Sequence, residues 1–477
     1  MPRLVILSPV VWTFRNIVYS GILSRLSEAG VEVHLLARDV SPDILSALSD
    51  LASTATLERL IEPNRHANVR GITFLRQVID EAYVRRNGID SHSMFKRWYG
   101  RSRPSGRPAR EGLVDVLSSV ARSDSLFFPL WGLYERWFRQ FYDLEPIRAQ
   151  LEQIAPDLVW STVNFQSPEH AYALAARDLG IPVITSILSF DNLSRKGMRH
   201  VYDRYHVWCE KMKRQALAYY PTVSDSQVIV TGTPQFDYHR NPRFLWSRQE
   251  TLKTLGLPAD ARYFLYGGGP HTLTPDEPQL IEMLYRRMQA DDQLKDYWLV
   301  IRHHPLDDAK RWAALDGQPQ VAISHPWDSN SSDLLWSVPL EDDMGLLVSS
   351  IHHALAGLNI ASTFALDTAI QDRPAICIRF DHEPDAPQQI LYMAYDSVHY
   401  KPLVDTGGLW MAHNWTELLD LLRQAIHAPE TGAAERAALV AQECGVVDGH
   451  AFERVADDVI QYLAQFERRE PAGALGR

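Results

Sequence analysis

The sequence predicts an α/β protein made of two successive doubly wound, Rossmann-like domains facing across a cleft. Three observations carry the prediction. Short apolar runs alternate with amphipathic helical stretches along most of the chain. The alternation restarts after about residue 245. The 477 residues suffice for two or three domains with sizeable cores.

Leu4–Leu7 reads as the first strand, followed by a loop over Ser8–Arg15. Asn16–Ala29 carries Ile17, Ile22, Leu23 and Leu26 at helical spacing, and Gly30 stops it. Val31–Leu36, Leu158–Trp160, Val183–Ile187, His206–Trp208 and Val228–Val230 read as further buried strands. His239–Ser247 is the expected hinge. Beyond it, Tyr263–Tyr266, Trp298–Ile301, Val321–Ser324, Ala354–Leu358 and Ala375–Ile378 read as strands, with helices over Pro275–Met288 and Ser362–Gln371. The expected division is a first domain over 1–240, with an insertion at 84–145, and a second over 245–450. A final helix and tail over 451–477 is expected to pack back toward the first domain, by analogy with two-domain folds of this kind.

The insertion breaks the pattern twice. Arg85–Arg110 holds eight Lys and Arg against one Asp and reads as a mobile basic loop. Leu126–Tyr142 is dense in aromatic residues. It suits a core helix with a few aromatics at its rim, or a contact with a membrane interface.

Composition excludes several classes. With 45% hydrophobic and 22% charged residues, bulk disorder, collagen and coiled coil do not fit. Cys209, Cys377 and Cys444 are far apart, without the paired spacing of a disulfide framework or a cysteine zinc site. No stretch reaches the ~20 apolar residues of a membrane span. The start reads as a buried strand rather than a secretion signal. The expected location is therefore cytoplasmic, either free or peripheral at the inner membrane face. The net charge of −11 is uneven. Residues 1–250 hold 31 Lys and Arg against 26 Asp and Glu, and the remainder 17 against 33. Nucleic acid is a poor partner for such a chain, but the first half can lean on an anionic surface.

In open α/β sheets, ligands bind outside the carboxyl ends of the strands, so the loops after strands matter most. Gly267-Gly268-Gly269-Pro270-His271 suits close approach of backbone amides to an anion, and equally a tight turn. It is neither a GxGxxG nor a P-loop pattern. Arg302-His303-His304-Pro305 offers a planar cation and two imidazoles to a phosphate. A metal half-site or two surface histidines are the alternatives. Gly357–Asp367 ends a strand at Asn359 and presents Ser362 and Thr363 as caps and hydroxyl donors. Asp367 lies one turn further on, in reach of a sugar hydroxyl or facing solvent. Asp381–Pro387 either lines the cleft or is an ordinary acidic loop. In the first half, Ser189–Gly197 gathers Asp191, Asn192, Arg195 and Lys196 at a strand end, where an Asx-turn is as good a reading as a general base beside a lysine. Arg15 and Asn16 follow the first strand. Glu169 and His170 open a helix, where a packed histidine is the plainer reading.

Five segments resemble a group of bacterial GT-B-fold glycosyltransferase-like proteins. They are DNLSRKG at Asp191–Gly197, DRYHVWCEKMK at Asp203–Lys213, VIVTGTPQFD at Val228–Asp237, the loop Arg302–Pro305, and GLNIASTFALDTAIQDRP at Gly357–Pro374. The histidine–proline and Ser-Thr pairs are also similar to those of CDP-glycerol glycerophosphotransferases and bacterial sialyltransferases. The resemblance covers about residues 155–380. It implies a GT-B fold, with a nucleotide-sugar donor in the second domain and a glycan or lipid-linked acceptor in the first. It assigns Arg302, His304, Ser362 and Thr363 to the donor phosphates and Asp367 to the ribose or sugar. Asp191, Asn192 and Lys196 fall to the acceptor side, with Arg15, Asn16 and His170 nearby. Asp367 departs from the Glu of many relatives. Asp191, Arg302 and His304 are the expected catalytic group, and Gly268, Gly269, His271 and Asn359 complete the donor set. No Asp-x-Asp pattern occurs, so no metal or other cofactor is expected. Rival readings are a polyol-phosphate transferase using CDP-glycerol, a UDP-sugar 2-epimerase or hydrolase, and a catalytically silent nucleotide- or glycan-binding protein.

Overall fold

The structure is a computed structural model that describes residues 1–9, 13–38, 52–66, 69–90, 108–163, 167–194, 197–198, 200–271, 273–305, 307–326, 341–382 and 393–467. The chain divides into two compact units, Met1–Thr233 with the segment from His450 onward, and Pro234–Gly449.

In the first unit, strands β1 (Arg3–Ser8), β2 (Glu32–Ala37), β3 (Ala55–Arg59), β4 (Leu158–Ser161), β5 (Val183–Ser186), β6 (Arg204–Val207) and β7 (Val228–Val230) form one parallel sheet. The strand order is β3-β2-β1-β4-β5-β6-β7. Leu4, Val5, Ile6 and Leu7 are all fully buried, as a central strand covered on both faces requires. Helices α1 (Ile22–Glu28), α2 (Arg70–Arg86), α3 (Pro108–Ala121), α4 (Asp124–Phe141), α5 (Glu145–Ile154), α6 (Ser167–Asp178) and α7 (Glu210–Tyr219) are its described α-helices apart from the last one of the chain.

Three expectations need correction here. The helix expected over Asn16–Ala29 is split into a π-helical turn at Phe14–Val18 and α1. Gly21 separates them at φ +100°, and a Cβ there would lie 2.9 Å from the Phe452 ring. The strand expected at His206–Trp208 starts two residues earlier, where Arg204 pairs with Ile184 of β5. Strand β3 (ATLER) was not expected, since a half-exposed edge strand carries no apolar run.

Helix α4 is mainly a core helix. Phe127, Trp131, Tyr134 and Phe138 recur every three to four residues and are buried. Phe127 packs beside Tyr83, Trp131 beside Tyr220, and Phe138 edge-on to His170 at 4.7 Å. Most of the basic loop, residues 91–107, lies outside the described residues.

The second unit holds α8 (Arg248–Thr254), β8 (Tyr263–Gly267), α9 (Glu277–Gln289), β9 (Trp298–Arg302), β10 (Val321–Ser324), α10 (Glu341–His353), β11 (Gly357–Asn359), α11 (Phe364–Ile370), β12 (Ala375–Ile378), α12 (Lys401–Asp405), β13 (Trp410–Ala412), α13 (Trp415–His427) and α14 (Ala433–Glu443). Its sheet is parallel with the order β10-β9-β8-β11-β12-β13. Tyr263, Leu265, Val300 and Ile351 are among its core residues. Strand β13 is only three residues long and was not anticipated. Strand β11 starts at Gly357 rather than Ala354, because α10 runs on to His353.

The last helix, α15 (Ala451–Glu467), packs on the first unit against α1. Two adjacent aspartates fasten it. Asp457 accepts from Arg25 Nε and Nη2 at 2.6 and 2.9 Å. Asp458 accepts from Arg204 Nε and Nη2 at 2.6 and 2.5 Å and lies 2.9 Å from His206 Nε2. Arg454 Nε donates to the Thr231 carbonyl at 2.7 Å.

Candidate functional site

In the second sheet, β8 and β11 are neighbours. The chain leaves β8 toward β9 on one side, and leaves β11 toward β12 on the other. This is a topological switch point, and the crevice outside its carboxyl end is where such sheets bind ligands. Gly267 pairs with Arg302 on one side and with Asn359 on the other. The loops after β8, β9 and β11 therefore start level with one another, and the structure brings Gly268, Gly269, Arg302, His304, Asn359, Ser362 and Thr363 to this one edge.

The glycines are there for packing. A Cβ on Gly267 would lie 2.5 Å from the Phe364 ring, and one on Gly268 3.1 Å from His303 Cα. Their amides are not held open for an anion. Gly268 N–H donates to the Arg302 carbonyl at 2.9 Å, and Gly269 N–H to Glu277 Oε1 at 2.9 Å. This corrects the expectation that these amides meet a phosphate. Glu277, in the first turn of α9, also accepts from the Tyr266 hydroxyl at 2.5 Å and from Thr274 Oγ1 at 3.0 Å. Burial pushes its carboxyl up to about 7, against these hydrogen bonds. His271 follows at the exposed tip of the loop.

Arg302 is buried, and both terminal nitrogens are engaged. Nη1 donates to Ser324 Oγ at 3.1 Å and Nη2 to Asp343 Oδ1 at 2.6 Å. Its guanidinium is thus part of the unit's interior, which corrects the expectation of a fork held out to a phosphate. His303 spans the His304 carbonyl and His325 Nδ1, at 3.0 and 2.9 Å. Burial draws the His304 imidazole down to about 4, so it is neutral at pH 7.

The loop after β11 is the most specialised part of this edge. Asn359 is 0% exposed, and its Oδ1 accepts from Ser362 N–H at 3.1 Å. Its Nδ2 is buried without a hydrogen-bond partner. Ala361 sits at φ +41°, a left-handed conformation costly for a residue with a Cβ. Two buried tyrosines brace it. The Tyr395 hydroxyl accepts from Ala361 N–H at 2.7 Å, and the Tyr400 hydroxyl donates to the Ser362 carbonyl at 3.2 Å. Ser362 Oγ accepts from Phe364 N–H, while Thr363 is the N-cap of α11 without a side-chain cap bond.

Asp367 does not stand alone. Its Oδ1 lies 2.9 Å from His239 Nε2, and Gln371 Nε2 lies 3.0 Å from His239 Nδ1. The aspartate expected at a ribose is therefore held by a histidine of the hinge segment. Of the fourth loop, Glu383–Pro387 lies outside the described residues.

The first unit has its own switch point, between β1 and β4. Glu169 is buried there and accepts from the Thr162 and Val163 amides at 2.7 and 2.8 Å. Burial raises its carboxyl well above the ordinary value. His170 lies in the core, stacked on Tyr134 with centroids 5.5 Å apart, so the packed reading holds and the acceptor-side assignment does not. Arg15 Nε donates to Asn16 Oδ1 at 2.9 Å in the turn after β1. Asp191 and Asn192 are buried in a local turn in which Asn192 Oδ1 accepts from Ser189 N–H. Lys196 lies outside the described residues.

Residues the sequence reading passed over are Glu277, Tyr395, Tyr400 and the partner roles of His239 and Asp343. Only Glu277 carried a local signal, as the carboxylate opening the helix after a glycine loop. Among the described residues no group of three His, Cys, Asp or Glu is placed to hold a metal ion.

No protein-family model matches the chain, and no curated protein matches it. Solved structures do. The S. aureus MnaA–UDP co-structure aligns at TM-score 0.55 and 11% identity over 97% of each chain. The UDP-GlcNAc 2-epimerase from Neisseria meningitidis bound to UDP-GlcNAc aligns at 0.54 and 13%, over 97% of this chain and 100% of the other. That from Methanocaldococcus jannaschii aligns at 0.52 and 14%, with the same coverage. At such identities the likeness is one of fold, and it shows the chain to have two Rossmann-like units of the GT-B type.

Proposed function

We propose that the chain is a nucleotide-sugar enzyme whose diphosphate site is the carboxyl edge of the second sheet, at the β8–β11 switch point. The observation that carries this is Asn359, a buried amide donor without a partner, beside a strained and braced loop. Strain of that kind gathers at functional sites, and an unmet buried donor calls for an acceptor. Asn359 Nδ2, the hydroxyls of Ser362 and Thr363, and His271 are the groups proposed to meet the phosphate oxygens. Arg302 acts indirectly, fixing the loop after β9 through Asp343 and Ser324.

The reaction proposed first is glycosyl transfer, on the strength of the segments at Asp191–Gly197, Val228–Asp237 and Gly357–Pro374. The acceptor hydroxyl loses its proton to a base, for which Asp191 is the candidate. The oxygen bonds to the sugar's anomeric carbon as the bond to the phosphate oxygen breaks, and the nucleotide leaves with the electron pair. Fixed donors stabilise the charge that grows on the leaving phosphate. A second reading, 2-epimerisation of a UDP-sugar, is favoured by the full-length likeness to UDP-GlcNAc 2-epimerases.

A thermal-shift panel of UDP-, GDP-, CMP- and CDP-sugars tests the shared premise, because a ligand of the native state raises the melting temperature. UDP-sugars are expected to give the largest shift. No shift with any nucleotide refutes the proposal. With UDP-GlcNAc alone, release of a 2-epimer without acceptor selects the second reading. Turnover only with added acceptor, lost in Asp191→Asn while binding remains, selects the first.

A further inference from the structure

Helix α3 has two apolar faces, and the fold uses one. Val114, Ser118 and Ala121 face inward and are buried, and α3 packs on α2. Leu113, Val116, Leu117 and Val120 form a second stripe at positions i, i+3, i+4 and i+7, exposed by 50, 62, 39 and 60%. Leu126, at the start of α4, adds to it at 42%. Five of the nine exposed large hydrophobic residues described in the chain thus fall between residues 113 and 126. Such a concentration marks an interaction surface rather than scattered exposure.

Charge indicates what covers it. The sequence leading into α3, from Ser91 to Arg110, carries Lys96, Arg97, Arg101, Arg103, Arg107 and Arg110 and no acidic residue, in a chain of net charge −11. Phe95, Trp98 and Tyr99 lie among these cations. Arg122 follows the helix. On the helix itself Glu111 and Asp115 are exposed, and Asp115 is paired with Arg85 at 3.0 Å. A single exposed apolar stripe, with basic and aromatic residues next to it in sequence, matches the requirements of an anionic bilayer surface, where apolar side chains enter the headgroup boundary and cations meet lipid phosphates.

We infer that the outward face of α3, Leu113, Val116, Leu117 and Val120 with Leu126, is a docking surface for an anionic lipid membrane. This is a different helix from the aromatic α4. The inference does not depend on the nucleotide site.

The test uses the full chain and sedimentation with vesicles of phosphatidylcholine, with and without phosphatidylglycerol. Binding is expected only with phosphatidylglycerol, weakening as salt rises. The triple variant Leu113→Ser, Val116→Ser, Val120→Ser is expected to bind at least about tenfold more weakly. Because these side chains are exposed, its melting temperature should stay near that of the parent. As a second readout, a polarity-sensitive dye on Val116→Cys should shift to the blue with anionic vesicles; Cys209, Cys377 and Cys444 are buried. Absence of binding to anionic vesicles, equal binding by the triple variant, or a dye response to a second copy of the chain instead of to lipid would overturn the assignment.

Discussion

Asn359 shows how one side chain is set by its neighbours. Its carbonyl oxygen is committed to Ser362 N–H, so the amide group can point only one way, leaving Nδ2 as a donor in a dry place. A buried donor without a partner costs about 1–3 kcal/mol, which a bound phosphate would return. Asn359→Asp keeps the acceptor and removes the donor. It is expected to weaken UDP binding at least about tenfold, measured by calorimetric titration, with a smaller effect on melting temperature. The reading of Asn359 came from its place at a strand end. What the sequence could not show is that Arg302, four residues from its own strand start, turns inward to Asp343, because the partner lies 41 positions away in sequence. Asp367 and His239 are 128 positions apart and were hidden for the same reason.

The same physics recurs in the elements. Glu169 and Glu277 each stand in the first turn of the helix that follows a central strand and a loop, and each accepts backbone amides from that loop. A helix start attracts negative charge, but burial raises both carboxyls here, so they fill the position chiefly as hydrogen-bond acceptors for the loop amides. Element α15 offers the clearest test at this scale. For Asp458, burial works to raise the pKa, but the hydrogen bonds from His206 and Arg204 outweigh it and hold the carboxylate below its ordinary 3.8. The native state therefore favours the charged form. Its contribution is complete above the ordinary value and fades as pH falls through the lower native one. Asp458→Asn is expected to lose about 3 kcal/mol near pH 7, since it leaves Arg204 without its carboxylate. Urea unfolding at pH 7 and pH 3 should show the gap between parent and variant narrowing in acid.

At the scale of the whole molecule, the two parallel sheets were legible because buried parallel strands write themselves as apolar runs, as in Leu4–Leu7 and Leu299–Ile301. Strands β3 and β13 were not, since edge strands of this kind need no such run. The place of α15 was expected from fold analogy alone. Nothing in Ala451–Glu467 names its partners, which are Arg25, Arg204 and His206 far upstream. Removing residues 450–477 should expose the α1 surface and leave Arg25 and Arg204 unmatched. Calorimetry of that truncation is expected to show loss or marked lowering of one transition, from the first unit. Limited proteolysis should find cuts confined to residues before about 233. A truncation in which both units melt as in the parent would contradict this.

That closure also orders events during synthesis. Residues 1–233 are synthesised before the second unit, yet the piece that completes them, Ala451–Glu467, emerges only after that unit. The second unit is uninterrupted in sequence and can reach its native state while the first still waits. For that interval, Arg25, Arg204 and His206 have no aspartates to meet, and the newborn first unit is open to chaperones and proteases until Asp457 and Asp458 have emerged.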